Sequence, residues 1–175
     1  MADKTKNPAV VEDEEILDFS GVTPFEPLDS GVIYLCKVSN LDKGTSKDGT
    51  RKTSNAELEI VGPEEVNAEV WEPNDEGDLV FVGKSDKKIK AAGRKLFRTF
   101  TLEPQALPFL YNFLKALDPD VDLGGKDDDG NIIPFRYRPA EWIGMQLAVK
   151  GDNEAYQEQV RLRPNKVYPA DRYKG

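Results

Sequence analysis

Apolar and polar side chains alternate at a period of two in five separate stretches of this chain, and that pattern constrains the fold more than anything else in it. Over residues 31–41, Val32, Tyr34, Cys36 and Val38 alternate with Ile33, Leu35, Lys37 and Ser39. Over 55–61, Ala56, Leu58 and Ile60 alternate with Glu57 and Glu59. Over 94–102, Leu96, Phe100 and Leu102 share one face, and Lys95, Phe97, Thr99 and Thr101 the other. Residues 142–150 place Ile143, Met145, Leu147 and Val149 together, and residues 155–163 do the same for Tyr156, Val160 and Leu162. Successive strand side chains point to opposite sides of a sheet, so each stretch reads as a strand with one buried face.

The connections sort these strands. Residues 44–50, rich in Gly, Ser, Asp and Thr, form a loop between the first two strands, which predicts a hairpin. Residues 66–72 and 79–84 flank a Pro-Asn-Asp-Glu-Gly-Asp turn, a smaller hairpin that carries Trp71 and Phe81, and 84–93 reads as a basic linker. Pro104 and Pro108 favour helix starts. Leu110, Phe113, Leu114 and Leu117 then fall at helical spacing up to Pro119. A turn at 151–154 joins the last two strands, and Pro164 opens a polar tail. The order is three main strands, one helix, two strands. It predicts a mainly β fold: a five-stranded OB-like barrel with the helix between strands three and four, an inserted small hairpin and flexible ends. The expected layout is an acidic flexible arm at 1–28, the OB-like domain at 29–164 and a polar tail at 165–175. Within the domain, 62–92 holds the hairpin and basic insertion, and 118–141 an acidic loop. Ile16, Leu17, Asp18 and Phe19 are read as able to dock or form a short helix.

Two absences narrow the chemistry. The chain has no histidine, which removes the commonest general base and most zinc sites. Its single cysteine, Cys36, lies in an apolar run and reads as a buried structural thiol. The aspartates at 118, 120, 122, 127 and 129 alternate, but they miss the glycine and glutamate of a calcium-binding loop at Leu123 and Asp129. Gly124-Gly125-Lys126 lacks phosphate-loop spacing. The expectation is a protein that is not an enzyme and uses no metal or cofactor. No apolar run approaches the length of a membrane span, and the first residues carry no signal-type apolar segment, so a cytoplasmic location is expected.

The net charge of −8 is strongly segregated. Residues 1–30 hold eight acids and two lysines, and 57–78 hold nine acids and no base. Residues 37–52 hold five bases against two acids, and 84–98 hold seven against one. A locally basic surface can bind polyanions in an acidic protein, because distant charges are screened.

Gly31-Val32-Ile33-Tyr34 followed by the basic 43–51 loop, then residues 93–100 (Gly-Arg-Lys-Leu-Phe-Arg-Thr-Phe) running into a helix, then a final hairpin, resemble the bacteriophage single-stranded-DNA-binding proteins with an OB core. The resemblance covers somewhat over half of the chain. It implies single-stranded DNA as partner, with a role in replication or recombination beside the proteins of those processes. Such proteins commonly carry an acidic C-terminal tail, whereas this sequence ends Asp171-Arg172-Tyr173-Lys174-Gly175 and is acidic at its other end.

Single-strand binding requires cations for phosphates and exposed aromatics for bases. Phe97, beside Lys95 on one strand face, is the leading stacking candidate, with Trp71 and Phe81 next. Lys43, Lys47, Arg51 and Lys52 are phosphate candidates from the first loop, and Lys87, Lys88, Lys90 and Arg94 from the basic linker. Packing beneath the arm or the helix is the competing role for Phe97, and covering a satellite core for Trp71. One feature opposes the idea: if strand two pairs with strand three, Glu57 and Glu59 share the face of Phe97. That feature favours the alternative, a non-enzymatic protein-interaction or virion structural protein.

Overall fold

The computed structural model describes residues 14–18, 20, 26–156 and 158–175. The greater part of the arm lies outside the described residues, and so does Phe19. Residues 14–18 are not helical, and Ile16 and Leu17 are exposed.

The described chain is mainly β with one α-helix. Its strands are β1 (Tyr34–Thr45), β2 (Lys52–Gly62), β3 (Glu65–Pro73), β4 (Leu79–Lys90) and β5 (Lys95–Thr101). The helix α1 (Leu107–Leu117) follows, then the two-residue strands β6 (Gly125–Lys126) and β7 (Ile132–Ile133), then β8 (Gln146–Tyr156) and β9 (Gln159–Pro169). Five of them form one antiparallel sheet in the order β9-β8-β1-β2-β5, while β3-β4 and β6-β7 are separate two-stranded sheets.

β1 is the shared strand. Tyr34 to Lys37 pair with β8 on one edge, and Leu35 to Thr45 pair with β2 on the other. Its alternation buries Tyr34, Cys36 and Val38. A register shift between Val38 and Asn40 then turns Leu41 inward where strict alternation would bury Asn40. Such a bulge bends and twists a strand. Ala56, Leu58 and Ile60 of β2, Leu96 and Phe100 of β5, and Leu147 and Val149 of β8 complete the inner face. Leu110, Phe113, Leu114 and Leu117 of α1 cover it, with the Phe113 and Phe100 ring centroids 4.8 Å apart. The two edge strands, β5 and β9, lie close to each other without a ladder between them, so the sheet does not close into a barrel through backbone pairing. The Arg98 Nη1 donates to the Pro164 carbonyl across that seam (3.2 Å).

Four local expectations are corrected. The 84–93 linker is mostly strand: β4 runs to Lys90 and sets Lys84, Lys88 and Lys90 opposite Glu69, Asn67 and Glu65. The turn expected at 151–154 lies inside β8, and the chain reverses between Tyr156 and Gln159. Gly151 is needed there for closeness rather than for turning, since a Cβ on it would stand 2.0 Å from the Arg163 carbonyl oxygen. Pro164 does not start a tail; it is buried in β9, where a register shift between Arg163 and Lys166 accommodates its missing N–H. Trp142 is buried in a 3-10 turn, Pro139–Trp142, instead of opening a strand.

The end of the presumed arm is also fixed. Leu28 is 1% exposed, and the Pro27 carbonyl accepts from the Glu69 N–H (3.0 Å). Around that point lies a polar knot. Glu69 is 4% exposed, and its carboxylate accepts from the Ser30 N–H (2.8 Å), the Ser30 hydroxyl (2.7 Å), the Trp71 indole N–H (3.0 Å) and the Asn153 amide (2.8 Å). The same Asn153 amide group donates to the Leu28 carbonyl (2.6 Å). Segment 26–31, β3 and β8 therefore converge on one carboxylate.

Burial pushes the Glu69 carboxyl up, but the bonds from Ser30, Trp71 and Asn153 outweigh it and hold it below its ordinary 4.5. The native state therefore binds fewer protons there than the unfolded chain. Its stabilisation is complete above that ordinary value and is lost as pH falls through the depressed native one. Glu69→Ala should cost roughly 3 kcal/mol or more near neutrality, because it strands several buried donors. In urea titrations the gap between Glu69→Ala and the parent should narrow as the medium becomes acidic. A gap that is small at neutral pH, or constant with pH, would count against the knot.

Candidate nucleic-acid interface

Phe97 is presented by β5. Its neighbours Leu96 and Arg98 turn toward the core side, and period two sends Lys95, Phe97 and Thr99 outward. The ring is 62% exposed, so it neither packs beneath the helix nor belongs to the core.

The opposing feature noted in the sequence is present. β2 pairs with β5 so that Glu57 faces Phe97 and Glu59 faces Lys95. The Lys95 ammonium lies 3.2 Å from Glu57 and 3.5 Å from Glu59. The bond to Glu57 is the main reason its pKa is raised. The Ser39 hydroxyl also donates to Glu57 (2.7 Å) and, ahead of Lys95, holds that carboxyl down. Further along the same face, Thr99 donates to Asn55 (3.0 Å), and the Asn55 amide to Asp42 (3.3 Å). Phe97 thus stands on a polar, self-satisfied floor. Its lysine neighbour is already balanced by two carboxylates.

The first-loop cations gather at the tip of the β1-β2 hairpin. Lys43 pairs opposite Ser54 and Lys52 opposite Thr45, while Lys47 and Arg51 belong to the loop; all four are exposed. The loop is built around Asp48, which accepts from the Ser46 hydroxyl and from the Thr50 N–H and hydroxyl. Those bonds, Ser46 first, hold its carboxyl at about 2. Arg51 pairs loosely with Glu103 (3.7 Å), and its charge also helps to hold the Asp48 carboxyl down. Thr101, at the end of β5, pairs with Thr53 beside this tip. At about 3.3 Å per residue, Phe97 stands about 13 Å from there.

The second set of candidates sits on a different sheet. Lys87, Lys88 and Lys90 are exposed on β4, but Lys87 pairs with Glu26, and neighbouring Lys84 with Asp29 (3.0 Å). Arg94 is half-buried and donates to the Glu26 carbonyl (2.7 Å); burial holds its pKa below the arginine norm. Arg94 is thus a structural residue of the 26–31 junction. Trp71 is half-buried with its N–H committed to Glu69. It meets Phe81 edge-on at 5.9 Å, whereas Phe81 is 51% exposed between exposed Val80 and Val82. Of the twelve candidates, the structure groups Lys43, Lys47, Arg51 and Lys52 at one tip, with Lys95 and Phe97 on the adjoining face. It sets Trp71, Phe81, Lys87, Lys88 and Lys90 on the hairpin.

One groove escaped the sequence reading. It lies between α1 and the end of β9, has a volume of about 450 Å³, and is lined by Arg98, Phe109, Asn112, Lys115, Lys166 and Tyr168 among others. Its residues are scattered from 98 to 169. The available signal was Phe109, an aromatic outside the Leu110, Phe113, Leu114, Leu117 stripe.

No group of three or more His, Cys, Asp or Glu among the described residues is placed to hold a metal ion. In the acidic loop, Asp127 accepts from the Asp129 and Asn131 N–H groups and so caps its own turn. No helix of the described residues is long and apolar enough to cross a membrane. No protein-family model matches the chain, and no curated protein matches it.

Cys36 has no exposed surface, and burial pushes its thiol up to about 12. Ellman's reagent should leave the native protein unmodified over hours and titrate one thiol in denaturant. Rapid native labelling would show that the β1 core opens readily.

Proposed function

We propose that the protein binds single-stranded DNA without catalysing a reaction, through an OB-like sheet. The observation that carries the reading is Phe97, an aromatic ring 62% exposed in the middle of a sheet strand, with four exposed cations at the adjoining β1-β2 tip. A sheet-borne aromatic beside a basic loop is the arrangement that stacks bases and tracks phosphates. The strand order β9-β8-β1-β2-β5 supports the fold side of the proposal. It is the order of an OB barrel opened between its third and fifth strands, with a long, bulged first strand shared by two neighbours. A role in replication or recombination follows from the partner and stands or falls with it.

A second reading has its own observation. Val80, Phe81 and Val82 form an exposed apolar run near the tip of β3-β4, and two carboxylates already balance Lys95. Those features suit a protein-interaction or virion structural protein.

Anisotropy of a labelled oligothymidine separates the two. The DNA reading expects binding that weakens steeply with salt and favours single over double strands. Phe97→Ala should weaken it by about fivefold or more. Glu57→Gln with Glu59→Gln should tighten it by freeing Lys95. Absence of binding at low salt would leave the protein-partner reading.

A further inference from the structure

We propose that the groove between α1 and β9 carries the phosphodiester backbone of the bound single strand, with Arg98, Lys115 and Lys166 meeting phosphates and Phe109 stacking a base. The proposal rests on the DNA-binding reading and adds to it a second contact surface, away from the Phe97 face.

Charge makes the first argument. The groove lining contains three cations and no carboxylate. None of the three cations forms an ion pair among the described residues, in contrast to Lys95, Lys84 and Lys87. Arg98 spends one donor on the Pro164 carbonyl and lies over the Phe100 ring at 4.8 Å, which fixes its guanidinium and leaves its charge unneutralised. Burial first, and the like charge of Arg163 second, hold its pKa below the arginine norm. Lys115 gives one of its three protons to the Val121 carbonyl (2.7 Å) and keeps two. Arg172 adds a further cation beside the groove, 4.6 Å over the Tyr168 ring. Asp152 lies outside the lining and is engaged by the Asn165 amide (2.9 Å).

Shape and surface make the second argument. A volume of about 450 Å³ suits a small-molecule or single-nucleotide occupant. Phe109 is 58% exposed at its edge, off the helix face that serves the core. Arg172 covers one face of Tyr168, so Phe109 is the ring left for a base. Cations converging with an exposed ring in a lining that holds no carboxylate match a polyanion whose repeating unit carries a base.

The test uses the full chain and a labelled oligothymidine, titrated at several salt concentrations. Lys166→Gln and Phe109→Ala change exposed side chains, and unchanged thermal midpoints would confirm that both variants fold. Lys166→Gln should reduce the slope of log affinity against log salt by about 0.7, the value of one single-strand phosphate contact. Phe109→Ala should weaken binding by about fivefold or more with the slope unchanged. Lys47→Gln with Lys52→Gln, at the other surface, serves as the comparison. If the parent binds and both groove variants match it in affinity and slope, the groove inference is overturned while the DNA-binding reading stands. If the parent fails to bind at low salt, both fall together.

Discussion

A carboxylate withdrawn from water must be met by donors, and Glu69 is met by four. They come from the segment before β1, from its own strand and from β8. The separate β3-β4 hairpin is thereby tied to the five-stranded sheet, and the incoming chain is fixed at Leu28 and Ser30. Removing the carboxylate would leave an indole N–H, a hydroxyl and an amide with no common acceptor. Apolar burial at Val66, Ala68 and Ile89 of the hairpin accompanies this polar tie.

The same junction brings parts of the segregated charge together. Glu26 and Asp29, from the acidic first segment, pair with Lys87 and Lys84 of the most basic one. Glu65 and Glu69 stand opposite Lys90 and Lys84 across the hairpin. Exposed pairs of this kind are individually weak. They nevertheless decide which cations remain available to an outside polyanion. Lys43, Lys47 and Lys52 of the β1-β2 tip and the cations of the α1-β9 groove form no ion pair among the described residues, whereas Arg51, Lys84, Lys87 and Lys95 do.

Much of the main sheet could be read from the sequence, because its signal is burial on one face. β1, β2, β5 and the helix stripe emerged from Tyr34, Cys36, Val38, Leu58, Ile60, Phe100, Phe113 and Leu117, all buried as the periodicity required. β4 was read as a linker beyond Lys84 because it is largely exposed on both faces and carries no alternation there; its ladder, not its side chains, makes it a strand. By sequence Gly151 and Pro164 read as breakers. They are instead the two halves of a close approach at a register shift, which only the partner strand reveals. For the site, the outward face of Phe97 and its conflict with Glu57 were legible from pairing and period; that the ring is exposed rather than covered was not, because cover depends on distant segments. The occupation of Lys87 by Glu26 was not, since it joins residues 61 positions apart. The α1-β9 groove was hidden for the same reason.

The central claim is that single-stranded DNA lies on the exposed β5 face, the β1-β2 tip and the α1-β9 groove. Backbone amide mapping by NMR during titration of the full chain with unlabelled oligothymidine tests it most directly. The account predicts shifts concentrated at residues 46–52, at 95–101 and at 165–169, fading as salt is added. Shifts confined to 79–82 at the hairpin tip, or none with oligothymidine in excess at low salt, would contradict it.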